Sequence, residues 1–169
     1  MAELPDLPRP SQLWKRLSPE RKLQAADAFW RDDNAAAEHA DAVATIAQRL
    51  KFRVKSVVAL PRDKKARHLA AMPIVSELVA ARLLVAYHLE AQRPMMAAFL
   101  DALGIKHENG LIEEEGMTAP TSEKLSEAAR TLRASFPADD VALYFTTLMW
   151  QDPETWHGLI ETPESPVAS

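Results

Sequence analysis

Apolar residues recur at helical spacing along most of the chain. The first such stripe begins after Ser18 and consists of Leu23, Ala26, Phe29 and Trp30. A second helix is predicted from residue 36 to Leu60, and further helices are predicted over 61–72, 74–92, 94–103, 121–136 and 141–150, with a short last one from Asp152. The pattern therefore predicts an all-α protein of about eight helices, arranged as a compact orthogonal bundle or a short stack of helix pairs.

Prolines and glycines mark where these helices begin and end. Ser18-Pro19-Glu20 supplies an N-cap, a proline at the first helical position and an acid near the positive end of the helix dipole. Gly104 is placed to be a left-handed C-cap, and Asn109-Gly110 predicts a turn. Only four glycines accompany twelve prolines, which argues against a sheet built from tight hairpins.

Residues 50–60 fit two patterns. Their apolar positions continue the helical spacing of the preceding segment, but they also alternate with cations as in an edge strand. A lone strand would have no partner for its backbone groups, so we expect a helix that ends before Pro61.

Length and composition suggest one folded domain. With 169 residues, 47% of them hydrophobic, the chain can bury a substantial core. We expect an extended N-terminal segment over 1–12, a single helical domain over 13–161 and a disordered tail over 162–169.

Basic residues are concentrated in the stretch from Arg49 to His68. This stretch holds eight Lys and Arg against one acid, a charge of +7, although the whole chain has a formal net charge of -4. The cations proposed to face an acidic or phosphate-bearing partner are Arg49, Arg53, Arg62, Lys64, Lys65 and Arg67. Phe52 is the one aromatic residue in the stretch, so we do not expect nucleic acid to be the partner. A solvated face balanced by acids from elsewhere would give the same pattern.

A second candidate site lies in the most apolar predicted helix. Arg82 interrupts its apolar run, and a guanidinium there must reach solvent, meet a carboxylate or face a polar cavity. Together with Tyr87 and His88 it could form a small-molecule pocket. The alternative is a structural ion pair at Arg82 and a hydrogen-bonded histidine near the helix end.

A third candidate follows Gly104. His107 and Glu108 begin a loop rich in acids, and imidazole and carboxylate groups are metal ligands. Their spacing matches neither an EF-hand nor a zincin motif, and a turn followed by a solvated acidic run explains them without a metal. The chain contains no cysteine and no glycine-rich nucleotide motif, so we expect no cofactor.

These patterns favour a soluble, cytoplasmic helical protein of interaction or regulation over an enzyme. Its partner would be a protein or another anionic molecule, and self-association is also compatible with the sequence. The apolar run from Leu78 to Leu89 contains Arg82 and is too short to cross a membrane. The alternative function is a small-molecule-binding protein or enzyme with a polar pocket in the helix bundle.

Overall fold

A computed structural model describes residues 8–112, 119–156 and 158–159. Ten helices and one two-stranded hairpin lie in these ranges, which confirms the all-α prediction. The helices are α1 (Pro10–Arg16), α2 (Pro19–Arg31), α3 (Ala36–Leu50), α4 (Val54–Val58), α5 (Arg62–Ala70), α6 (Glu77–Ala91), α7 (Arg93–Leu103), α8 (Ser122–Ser135), α9 (Ala138–Gln151) and α10 (Pro153–Trp156). The hairpin pairs β1 (His107–Glu108) with β2 (Leu111–Ile112).

The chain divides into two compact units. One unit, Pro8–Ala91, contains α1 to α6, and the described part of the other, from Gln92 onward, contains the hairpin and α7 to α10. The single domain over 13–161 remains a prediction. The extended segment predicted over 1–12 is wrong at its end, because α1 begins at Pro10. The predicted tail over 162–169 lies outside the described residues.

In the first unit, α2 packs against α5 and α6. Its N-terminus forms as predicted, since the Ser18 hydroxyl accepts a hydrogen bond from the Arg21 amide at 3.2 Å. The buried face of α2 consists of Ala25, Ala26 and Phe29, each without exposed surface. Leu23, which we expected on this face, is 41% exposed.

Ion pairs around Asp27 connect three helices of the first unit. The Asp27 carboxylate accepts from Arg31 of the same helix at 3.1 Å and from Arg62 of α5 at 3.0 Å. Arg31 also reaches Glu90 of α6 at 2.7 Å. The hydrogen bond with Glu90 is the main cause that raises the pKa of the Arg31 guanidinium, and Asp27 adds to it. Because these ion pairs are half-exposed, they stabilise the fold little. Most of the stability comes from the apolar packing between the helices.

The segment over 50–60 is neither the continuous helix that we predicted nor a strand. Helix α3 ends at Leu50, Lys51 adopts the left-handed conformation with φ 58°, and Arg53 is extended before α4 begins. The amides of Lys51 and Phe52 both donate to the Ala47 carbonyl, which is how a left-handed residue terminates a helix. As a result, Val54 and Val58 are exposed although the predicted stripe placed them inward.

In the second unit, aromatic side chains of α7, α9 and α10 meet around Phe99. The ring centre of Phe99 lies 5.0 Å from that of Phe145, 5.7 Å from Tyr144 and 5.9 Å from Trp156. Phe99 has no exposed surface. Helix α8 packs on α7 and begins at the predicted cap, where the Thr121 hydroxyl accepts from the Lys124 amide.

The loop predicted after Gly104 contains the short hairpin, with Asn109 and Gly110 at its turn. Both residues have positive φ, 53° and 91°, as a two-residue hairpin turn requires. Arg93 donates to the Asn109 carbonyl at 2.8 Å and so ties the turn to the start of α7. The predicted turn at Asn109-Gly110 is therefore confirmed, within a hairpin that we did not expect.

Gly110→Ala is expected to destabilise the protein by about 2–3 kcal/mol, because it combines left-handed strain with overpacking. A Cβ at Gly110 would lie 3.0 Å from the Met96 Cβ and 3.4 Å from the Arg93 carbonyl oxygen. Gly104→Ala is the control, since Gly104 also has positive φ but nothing lies within 4 Å of its Cβ position. That variant should lose only about 1 kcal/mol. Urea unfolding followed by circular dichroism measures both, and equal losses would rule out the steric contribution.

Candidate interaction site

Three cations of the predicted basic face have partners inside the first unit. Arg62 pairs with Asp27, and Arg67 pairs with Asp63 at 2.8 Å along the same helix. The Arg67 hydrogen bond is the main cause that lowers the pKa of the Asp63 carboxyl. Lys65 places its ammonium 5.0 Å from the ring centre of Trp30. These α5 cations therefore already contact groups of the fold.

The cations near the end of α3 differ from those of α5. Four exposed residues, which we call the basic corner, are Arg49, Lys51, Arg53 and Lys55. Within the part of the chain that the structure describes, none of them takes part in an ion pair, and the same holds for Lys64 of the predicted face. Because the four lie within seven residues, their backbone positions are at most about 20 Å apart.

The break after α3 gives the basic corner its geometry. Lys51 turns the chain in a left-handed conformation, a position that glycine occupies at less cost than lysine by about 1 kcal/mol. The chain then runs extended through Arg53 into α4, where Val57 is fully buried. Val57 thus anchors α4, and the residues around it point outward.

Apolar side chains are exposed between the cations of the basic corner. Phe52, Val54 and Val58, which we call the apolar trio, are 47%, 54% and 56% exposed. Phe52 and Val54 alternate in sequence with the cations. The corner therefore presents apolar and positively charged groups side by side.

The first unit as a whole is basic. It holds 15 Lys and Arg against nine Asp and Glu, a formal charge of +6, whereas the rest of the chain holds five against 15, a charge of -10. The net charge of the whole chain is -4, and this overall value conceals the positive charge of the first unit. Within the first unit, the excess of cations over acids adds to the positive potential around the basic corner.

The structure places the second candidate set on different sides of α6. Arg82 pairs with Asp32 at 3.0 Å, with both side chains about three-quarters buried. His88 is buried, and its Nδ1 lies 2.7 Å from the Leu84 carbonyl oxygen, to which it donates as Nδ1–H. At about 100° per residue, Tyr87 lies about 140° and His88 about 240° around the helix from Arg82. The three side chains therefore do not converge on one point.

The third candidate pair is divided between the two faces of β1. His107 Nε2 lies 2.7 Å from the Asp101 carboxylate, and its Nδ1 accepts from the Gly110 amide at 3.1 Å. Glu108 is exposed and, as the next residue of the strand, points to the opposite side. Among the described residues no group of three or more His, Asp or Glu side chains could hold a metal ion.

Two cations of the basic corner are missing from the contact face that we predicted from the sequence. Lys51 and Lys55 belonged to the basic run but not to the predicted contact set, and Val54 and Val58 were expected to face inward on a continuous helix. The available signal was the alternation of apolar and basic residues over 50–55, which we read as a weak strand pattern. In the structure, α3 ends at Leu50, the chain turns at Lys51 and α4 begins at Val54, and residues 51–55 are all exposed.

Two further observations bear on function. No helix in the described ranges is long and apolar enough to span a membrane. No family model, curated protein or solved structure matches the chain.

Proposed function

We propose that this chain is a helical interaction or regulatory protein that binds an acidic or phosphate-bearing partner through its first unit. The contact surface is the basic corner, extended by Lys64 of α5. The observation that carries the proposal is that four exposed cations occupy seven residues without an ion-pair partner among the described side chains.

Unpaired cations at this density repel one another, and an acid placed near them would relieve the repulsion. Acids of the first unit pair with Arg62 and Arg67, whereas no acid in the described ranges pairs with a cation of the corner. An anionic partner would supply them. The lysine at a left-handed position gives independent support, because glycine there would be more favourable for folding alone.

A test replaces Arg49, Lys51, Arg53 and Lys55 together by glutamine. The expected result is a loss of affinity for polyglutamate and for inorganic polyphosphate of about 10- to 100-fold, from four exposed charge contacts. Fluorescence anisotropy with labelled polymer measures it at low ionic strength. Binding by the unaltered protein should also weaken with added salt, because exposed charges are screened.

The matched control removes the same total charge elsewhere. Lys15, Arg16, Lys106 and Lys124 are exposed, and their replacement by glutamine should change affinity by less than about threefold. Equal losses in the two variants would mean that net charge matters and the corner does not. Thermal unfolding of both variants checks that the fold is intact, since exposed substitutions change stability little.

A further inference from the structure

The apolar trio narrows the class of partner. Resting on the proposed function, we infer that the basic corner binds a protein segment in which acidic residues are interspersed with apolar ones. The cations would meet the carboxylates, and Phe52, Val54 and Val58 would contact the apolar side chains. A purely polar anion would leave these three side chains facing water.

The exposure of the apolar trio and its position among the cations support this inference. About half of each trio side chain is accessible, and the cations stand between and beside them. Protein interfaces likewise combine apolar and aromatic contacts with arginine and other polar groups. Val57 is fully buried and anchors α4, the helix that carries Val54 and Val58.

Long polyanions and membrane surfaces fit the same residues less well. A long polyanion would extend beyond the four cations of the corner, and one half-exposed phenylalanine offers little stacking for bases. A helix that lies in a bilayer surface separates a wide apolar face from its cations. Helix α4 has five residues, and the apolar and basic groups of the corner alternate instead of separating.

The test compares two short peptides of equal charge with the full chain. In one, glutamates alternate with leucine and phenylalanine, and in the other serine replaces every apolar residue. We expect the apolar peptide to bind about 10- to 50-fold more tightly, as contact with three half-exposed apolar side chains would give. The variant Phe52→Ser, Val54→Ser, Val58→Ser keeps all cations and should lose this preference while still binding the serine peptide.

The outcomes separate this inference from the proposed function. Equal affinity for both peptides, with binding that still depends on the four cations, would overturn the acidic–apolar partner and leave the anionic partner in place. Preferential binding to phosphatidylserine vesicles over the apolar peptide would also overturn it. If neither peptide binds, and polyglutamate and polyphosphate do not bind either, the proposed function itself fails.

Discussion

Phe99→Ala is expected to lower the free energy of unfolding by about 3–5 kcal/mol, the usual cost of truncating a fully buried phenylalanine. The Phe99 ring is completely buried and contacts aromatic rings of α9 and α10, with ring centres 5.0 to 5.9 Å away. Removing it takes away the apolar contact and leaves a cavity that these large side chains cannot easily fill. Urea unfolding, followed by circular dichroism, measures the loss.

Phe52→Ala is the matched control for this substitution. It removes the same side chain from a position where the ring is 47% exposed. We expect a loss of less than about 1 kcal/mol there, because little apolar contact is given up. Similar losses at the two positions would mean that the aromatic side chains around Phe99 do not form a packed core.

Much of the secondary structure could be predicted because its signals are local. Ser18 and Thr121 cap helices within three residues of themselves, and Gly104 ends α7 with φ 71°. Such signals depend only on residues that are close in sequence, so the ends of these helices can be predicted without knowledge of tertiary contacts. The regular apolar spacing of α8 adds to them, since Leu125, Ala128, Ala129 and Leu132 are all buried as their spacing indicates.

The missed features depend on tertiary contacts. Helix α1 forms where an extended segment was expected, and its Ser11 amide and hydroxyl donate to the Glu77 carboxylate, 66 residues away. The break at Lys51 is also hidden, because a lysine carries no signal for a left-handed conformation. Helical spacing simply continues through the break, and it predicted burial for Val54 and Val58 where the chain exposes them.

The candidate sites also differ in whether local sequence or tertiary contacts determine them. Arg62 pairs with Asp27, which lies 35 residues away in sequence, whereas Arg49 has no ion-pair partner among the described side chains, and a count of charges could not separate the two. The separation of Arg82, Tyr87 and His88 around α6, in contrast, follows from helix geometry alone. Residue spacing along a helix is therefore sufficient to argue against a pocket formed by Arg82, Tyr87 and His88. It cannot identify which cations of the basic stretch are free to meet a partner.

Above pH 10 the protein is expected to lose stability in a way that depends on Tyr144. This side chain is 3% exposed, and burial raises the pKa of its phenol well above the ordinary value. In the unfolded chain the phenol ionises near its ordinary pKa of about 10, whereas in the folded chain it stays protonated. The unfolded state then binds fewer protons, so the free energy of unfolding falls by up to about 1.4 kcal/mol per pH unit above this value.

Tyr144→Phe separates this effect from the loss of charge on lysines and other groups that also titrate at high pH. The variant has no phenol to ionise, so its stability relative to the unaltered protein should rise by about 2–3 kcal/mol between pH 10 and pH 12. Urea unfolding at each pH gives the difference, and the ultraviolet absorbance of phenolate shows whether ionisation accompanies unfolding. A difference that does not change with pH would contradict the expected role of the buried Tyr144 phenol.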